Sequence, residues 1–319
     1  MRFGRVAIIG RTNVGKSTFL NAALGEPLSI VSPRPQTTRD TVLGVVHRPD
    51  AQLAFVDTPG VHQPKTELGR RMNSATLGVA RDADAWLFMT SAPERKRPRG
   101  TGLQSPVPSV HPEDAELLGR LPANVPAVLA FNKVDLIRDK QTLLPLLSAY
   151  EQRRPFAALV PLSSLLADGV DRVLDELVAL LPEGEPEYPE DTLTDRSLDF
   201  FVREYVREQV FLQTEKEVPY AVAVSLDELS ELGDIIVAKA TIHVEKAGQR
   251  GILVGRAGAT IRSIGSEARR RIATLTQKRV HLELFVRVTG RWKDAPRKLS
   301  ELGYEDAEAA ALRRATRLD

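Results

Sequence analysis

The sequence predicts an α/β domain built on a mostly parallel, doubly wound sheet, followed by a smaller α+β domain. Three observations carry this. Over residues 1–181, short apolar runs alternate with segments of helical periodicity, the pattern of parallel strands joined by helical crossovers. Residues 182–195 begin with a Pro- and Glu-rich, aperiodic stretch that reads as a linker. From 196 to 319, helical stripes and alternating strand patterns mix without the strict order of the first part. A chain of 319 residues is long enough for two such domains.

In the first domain the strand candidates are Val6–Ile9, Leu53–Val56, Ala85–Met89, Ala127–Phe131 and Ala157–Val160. Helical stretches lie near 17–24, 67–80, 113–120, 141–150 and 169–180. In a sheet of this kind, ligand groups gather beyond the C-terminal ends of the strands. Pro93 to Pro112 breaks the pattern: rich in Pro, Ser, Gly and basic residues, it reads as a long surface loop, with a local RNA or partner contact as the alternative. In the second domain, Arg196–Phe211 reads as a helix with Leu198, Phe201, Val202, Tyr205 and Val206 on one side. Tyr220–Leu226, Asp234–Val244 and Val280–Val288 read as strands, the last with Leu282, Leu284 and Val286 on one face. Ile252-Leu253-Val254 reads as a short apolar strand, and 258–274 as a helix striped by Ile261, Ile264, Ala268 and Ile272. There is no internal repeat.

Composition sets bounds. Apolar residues make up 42% and charged residues 27%, ordinary for a globular protein. The absence of cysteine excludes disulfides, thiolate metal sites and a cysteine nucleophile, and fits a reducing compartment. No signal-peptide pattern opens the chain and no apolar run approaches the ~20 residues of a bilayer span, so a cytoplasmic location is expected. Net charge is only +2, but residues 246–298 hold fourteen Lys and Arg against three Asp and Glu. So one-sided an excess marks a surface for phosphate backbones or anionic lipid, and the motif argued below favours nucleic acid.

Gly10-Arg11-Thr12-Asn13-Val14-Gly15-Lys16-Ser17 fits G-x-x-x-x-G-K-[ST], the loop that wraps a nucleotide's phosphates, with Thr18 following. Glycines let backbone N–H groups turn inward into an anion nest, the lysine reaches the outer phosphates, and the serine hydroxyl ligates Mg²⁺. The loop follows a strand and opens a helix, so the phosphates would sit at a helix N-terminus. Asp57-Thr58-Pro59-Gly60 follows the second predicted strand; its carboxylate can hold a metal-bound water and its glycine N–H can sense a γ-phosphate. Alone it is also a good turn sequence. Asn132-Lys133-Val134-Asp135 decides the base: a carboxylate at Asp135 can accept both N1–H and the exocyclic amine of guanine, whereas adenine would leave it unpaired. Ser163-Ser164, after the last strand, can brace Asp135 by a hydroxyl and present a backbone N–H to the guanine carbonyl. Within Pro35–Asp40, a threonine hydroxyl could complete the Mg²⁺ sphere.

Gly255-Arg256-Ala257-Gly258 is a G-x-x-G, the clamp that lets an RNA backbone pass close to main-chain N–H groups in KH domains. A chain this long holds about one or two such matches by composition, and Gly248-Gln249-Arg250-Gly251 is a second, which reads as a turn. The first is distinguished by opening a helix inside the basic window. Arg262, Arg269 and Arg270 on that helix join it as candidate RNA contacts.

Together these motifs resemble the Era family of GTPases, bacterial ribosome-assembly factors with an N-terminal GTPase domain and a C-terminal KH domain. The likeness covers nearly the whole chain. It rests on Gly10–Ser17, Gln36-Thr37-Thr38-Arg39, Asp57–Gly60, Asn132–Asp135, Thr194-Asp195-Arg196-Ser197, Gly255–Gly258 with Ile264–Arg269, Val280–Leu284, and Leu302-Gly303-Tyr304. It implies a P-loop GTPase domain over 1–181, a linker over 182–195 and a type II KH domain over 196–319. It implies binding of GTP and GDP with Mg²⁺, held by Ser17 and Thr38 directly and by Asp57 through water. Lys16, Thr38 and Gly60 would serve catalysis, and Asn13 would contribute to an activating K⁺ site. The partners implied are the 3′ end of 16S ribosomal RNA, the 30S particle during its assembly, and peripherally the cytoplasmic membrane. Three positions bear on the likeness. Ser164 stands where the family usually has Ala, the Pro93–Pro112 segment is longer than usual, and Val61 keeps the family's apolar residue, which cannot orient water by hydrogen bonding. The function expected is a GTP-hydrolysing switch controlling an RNA-binding domain; the alternative is a constitutive RNA-binding assembly factor with a structural, slowly hydrolysed guanine nucleotide. An ATP-using phosphotransferase would need an acceptor pocket with a catalytic base, of which the sequence shows no sign.

Overall fold

The structure is a computed structural model that describes residues 1–32, 34, 37–61, 63–91 and 109–304. Gln36 and the Pro93–Pro112 segment up to residue 108 lie outside the described residues. The chain divides into two units. The first gathers Met1–Ser29, Thr38–His62 and Ala75–Asp195; the second takes Ile30–Thr37, Gln63–Ser74 and the chain from Arg196 on.

The first unit is a six-stranded sheet in the order β2-β3-β1-β4-β5-β6. β1 (Arg2–Ile9), β3 (Ala51–Asp57), β4 (Ala85–Ser91), β5 (Ala127–Asn132) and β6 (Ala158–Pro161) run parallel, as the alternating pattern predicts. β4 and β5 are buried throughout, which is why they read as continuous apolar runs. α2 (Glu67–Asp82), α3 (Pro112–Arg120) and α4 (Leu143–Glu151) meet one face in a cluster holding Trp86, Phe88, Leu129, Phe131, Leu117 and Tyr150. α1 (Lys16–Leu24) and α5 (Val170–Leu180) pack on each other and on the sheet, α5 through Val173, Leu174 and Leu177.

One strand escapes the sequence reading. β2 (Val42–His47) pairs antiparallel with β3 at the sheet edge. Gly44 interrupts its apolar pattern, and for a tertiary reason: a Cβ there would lie 2.7 Å from Leu20 Cδ1. Residues 182–195, expected as a linker, run along the first unit. Val45 N donates to Leu193 O at 2.9 Å, His47 Nε2 to Thr192 O at 2.9 Å and Gln52 Nε2 to Tyr188 O at 2.7 Å. Tyr188 also packs on Phe3. The segment satisfies the Val45 N–H, which the edge strand would otherwise present to other chains.

The second unit carries α6 (Leu198–Gln213), β7 (Ala223–Leu232), β8 (Ile235–Val244), α7 (Ala247–Val254), α8 (Ala259–Thr276), β9 (Arg279–Val288) and α9 (Pro296–Glu301). Its sheet has the order β7-β8-β9, with β7 antiparallel and β9 parallel to β8. Ile264, Ala268 and Ile272 are buried along α8, with Ile261 at the margin, and Leu282, Leu284 and Val286 turn inward from β9 as the alternation predicts. Ile252–Val254 is not a strand: it is the last turn of α7, and Gly248–Gly251 lies inside that helix rather than in a turn. A three-residue apolar run cannot separate strand from helix. The deciding feature is the capping of α7 by Gln249, whose Oε1 accepts from the N–H groups of Glu245 and Lys246 at 3.0 Å each.

Residues 63–74 join this unit through Leu68 and Met72, which share a cluster with Trp292, Leu299, Leu302 and Tyr304. Buried Arg71 donates to Tyr304 O at 2.5 Å and Pro296 O at 3.3 Å. Arg34 Nη1 donates to Phe211 O at 2.6 Å and also to Thr214 O, a cation on the carbonyl end of α6, where the helix dipole favours it.

The face of the sheet opposite that core carries a polar network. His243 is buried between Ser225 Oγ at 2.8 Å and Thr289 Oγ1 at 2.9 Å, and Thr241 donates to Asp227 at 2.6 Å. Burial, then nearby Arg287, hold the His243 imidazole below its usual 6.5, partly offset by Asp227. The unfolded chain takes up that proton near pH 6.5 and the fold resists it, so stability is full above this pH and falls as pH drops below it. The expected result is a lower urea midpoint at pH 5.5 than at pH 7.5, followed by Trp292 fluorescence in a Trp86→Phe background, with His243→Gln shrinking the difference.

Candidate functional site

The residues between β1 and α1, Gly10 to Gly15, form a tight loop. Asn13 (φ 61°) and Gly15 (φ 101°) adopt left-handed backbone, the kind of conformation from which main-chain anion nests are built. A Cβ at Gly10 would lie 2.3 Å from Met89 O, and one at Gly15 would lie 2.2 Å from Asn132 Nδ2. That second approach has a purpose. Asn132 Nδ2 donates to Val14 O at 2.7 Å, and its Oδ1 accepts from Ser164 N at 2.9 Å. One side-chain amide therefore ties together the loops that follow β1, β5 and β6, its NH₂ donating and its carbonyl accepting.

Lys16 is buried, and its Nζ donates to Gly10 O and Arg11 O at 3.1 Å each. Burial lowers its ammonium to about 8, against the pull of Asp57 and Asp114. Ser17 Oγ donates to Asp57 Oδ2 at 2.6 Å and lies 2.8 Å from Thr38 Oγ1. Asp57 is fully buried, its Oδ1 has no partner among the described residues, and burial pushes its carboxyl up to about 6 despite Lys16 and Ser17. Two hydroxyls and a carboxylate with one orphaned oxygen are hard donors and fit Mg²⁺. Among the described residues no three His, Asp or Glu side chains cluster, so the remaining ligands of such an ion would come from phosphate and water.

Asp57–Gly60 lies against the phosphate loop. Thr58 Oγ1 donates to Ile8 O at 2.7 Å, and Thr76 Oγ1 to Pro59 O at 3.1 Å. A Cβ at Gly60 would sit 2.7 Å from Thr12 Cα, and Arg11 pairs with Val61 in an isolated parallel bridge. At the base end, Lys133 (φ 64°) turns the chain so that Asp135 is exposed on the single 3-10 turn Val134–Leu136. Ser163 Oγ accepts from Leu166 N at 3.4 Å, and Ser164 N donates to Asn132 Oδ1, so the loop after β6 is tied to the end of β5.

In the second unit, Gly255 (φ 71°), Ala257 (φ 49°) and Gly258 (φ 77°) place positive φ at three of the four G-x-x-G positions between α7 and α8. A Cβ at Gly255 would lie 2.2 Å from Thr260 Oγ1, so only glycine fits there. Arg256, Ala257, Arg262, Arg269 and Arg270 are exposed. Other cations of the basic window are spent inside the unit. Arg271 pairs with Glu208 at 3.2 Å and lies 4.6 Å from the Tyr205 ring centroid, and Lys293 pairs with Glu245 at 2.8 Å. Counting charges along the sequence cannot separate these from the exposed set.

Fold and sites define a P-loop GTPase domain followed by a KH domain. The family described as 50S ribosome-binding GTPase matches residues 5–133, and the KH domain family matches residues 217–293. The chain is 41% identical over 306 residues to the GTPase Era of Syntrophus aciditrophicus, covering 95% of each chain. It is 43% identical to that of Lacticaseibacillus paracasei, covering 94% of this chain and 96% of the relative. Among solved structures, a point variant of Aquifex aeolicus Era bound to GDP·AlF4⁻ superposes with a TM-score of 0.88 at 35% identity, covering 96% of this chain and 100% of that one. Era in complex with MgGDPNP and nucleotides 1506–1542 of 16S ribosomal RNA matches with a TM-score of 0.88 at 35% identity, covering 96% of this chain and 99% of that one. The chain belongs to the Era family of GTPases.

Gly15→Ala tests the packing of the phosphate loop. Strained backbone and the collision with Asn132 should weaken GTP and GDP binding by about 100-fold or more in calorimetry, while the second unit keeps its native fluorescence from Trp292.

Proposed function

We propose that this protein is a GTP-hydrolysing switch that binds the 3′ end of 16S ribosomal RNA and assists assembly of the 30S subunit in the cytoplasm. One observation carries the reading: Lys16, Ser17, Thr38 and Asp57 converge beside a left-handed phosphate loop, with an orphaned carboxylate oxygen, in a chain that also holds a G-x-x-G in left-handed backbone. The Era structure that holds both MgGDPNP and 16S nucleotides supports the pairing of the two activities. The ribosome-binding family matches only residues 5–133, so its 50S label does not bear on the domain that would select the RNA.

The residues divide the work. The amides of Gly10–Thr18 and the Lys16 ammonium bind the phosphates, Lys16 having a third N–H beyond the two that the main-chain carbonyls of Gly10 and Arg11 take. Mg²⁺ on Ser17 and Thr38, with Asp57 through water, would bridge the outer phosphates and neutralise their charge. Asp57–Gly60 would report the γ-phosphate through the Gly60 N–H, and Thr38 would order with it. Asn132 and Lys133 shape the base pocket, Asp135 reads guanine, and Ser163 and Ser164 secure the neighbouring loop. Val61 cannot align water by hydrogen bonding, so intrinsic hydrolysis is slow and draws on main-chain groups, a K⁺ at Asn13 or the ribosomal particle. Gly255–Gly258 would clamp the RNA backbone, with Arg256, Arg262, Arg269 and Arg270 neutralising phosphates.

The switch reading is preferred to a constitutive binder because residues 30–37 and 63–74, which adjoin Thr38 and Gly60 in the chain, are grouped with the RNA-binding unit. The stretches next in the chain to the residues that would sense the γ-phosphate thereby belong to the unit that carries the G-x-x-G. Peripheral membrane contact would use the same exposed cations; among the described residues no helix is long and apolar enough to cross a membrane. RNA is favoured over lipid because a vesicle has no use for the G-x-x-G backbone.

Affinity for the 16S 3′ end, measured with GTP analogue and with GDP at one salt concentration, should differ; equal values end the switch reading. Arg256→Glu should lower RNA affinity and reduce its salt slope by about one, with anionic vesicles competing poorly for the parent protein. Asp135→Asn should move nucleotide preference from guanine toward xanthine, and unchanged selectivity would refute the assignment of Asp135.

A further inference from the structure

We propose that Asp114, together with Tyr150 and Thr90, is a positioning residue for the phosphate loop, acting through Arg11. Asp114 lies in the first turn of α3, outside every nucleotide motif of the sequence, and is fully buried. Its Oδ2 accepts from Tyr150 OH and Thr90 Oγ1 at 2.6 Å each and from Arg11 Nε at 3.3 Å. The Arg11 guanidinium also donates to Ser91 O at 2.6 Å, at the end of β4. The side chain of Arg11 is thus fixed at both α3 and β4.

The main chain of the same residue serves the nucleotide site. Arg11 O holds the Lys16 ammonium at 3.1 Å, and Arg11 pairs with Val61, directly after Gly60. A fixed guanidinium therefore holds in place both the acceptor of Lys16 and the strand-like contact to the γ-phosphate loop. Asp114 also acts through space, its carboxylate favouring the charged form of Lys16. A buried carboxylate beside a half-buried guanidinium is costly to desolvate unless the two are paired, and an apolar core would fill this position at less cost. The geometry accounts for the pair as a device that sets the loop.

This inference rests on the GTPase reading, and the parent chain separates the two. Should the parent fail to bind GTP, the reading fails; should it bind and the variants behave as below, the inference stands. Asp114→Asn and Arg11→Ala should each weaken GTP and GDP binding by about tenfold, raise KM and lower kcat, since small displacements of a reacting geometry are costly. Their double variant should be no weaker than the worse single, because the two act as one unit. Tyr150→Phe, which removes one hydroxyl and keeps the ring, should give a smaller loss of the same kind and serves where Asp114→Asn does not fold. Nucleotide affinity and kcat within about twofold of the parent alongside a lowered Tm, or additive losses in the double variant, would show a purely structural pair and overturn the proposal.

Discussion

Lys16 and Asp57 are buried beside one another without enough protein groups to satisfy them. Lys16 has two carbonyls, and Asp57 has a serine hydroxyl and an oxygen with no partner among the described residues. The fold accepts that desolvation because the parallel sheet delivers both side chains to the same end, Lys16 from the helix after β1 and Asp57 from the end of β3, its immediate neighbour. What is unfavourable for the protein alone becomes complementarity towards phosphate and a divalent ion, since the groups need little reorganisation. The rest of the first unit can be understood as support for that arrangement.

The support comes from single residues that bridge loops. Asn132 is legible as the first residue of N-K-x-D, a base-reading motif, yet its amide spans Val14 and Ser164 and leaves no room for a side chain at Gly15. The loop proposed to read the base and the shape of the phosphate loop are therefore mechanically joined. Arg11 plays the matching part on the other flank, with its guanidinium on Asp114 and its carbonyl on Lys16.

The second unit applies the same economy to a different ligand. Its G-x-x-G, the clamp proposed above, is built from backbone that only glycine, or a residue willing to sit at positive φ, can adopt, and the helix it opens is anchored by Ile264, Ala268 and Ile272. Inclusion of residues 30–37 and 63–74 in this unit means that the chain passes between the two bodies beside Thr38 and Gly60 rather than only near residue 195. Arg34 on the end of α6 and Arg71 on the carbonyls around α9 are the polar anchors of those segments.

Local pattern was enough for much of this. The five parallel strands, the long helices and the phosphate, D-T-P-G, N-K-x-D and G-x-x-G motifs are written in runs and spacings of a few residues, and such signals survive in the sequence because they depend on near neighbours. Tertiary structure alone decided the rest. β2 is hidden by Gly44, whose missing side chain makes room for Leu20; α7 is distinguished from a strand by a cap at Gln249; and residues 182–195 gain order from the edge they cover. The contact between Arg11 and Asp114 joins residues 103 positions apart, and no periodicity encodes a partner at that distance. Which cations face outward and which, like Arg271, are held by Glu208 is likewise settled by packing, because charge is readable from residue type but exposure is not.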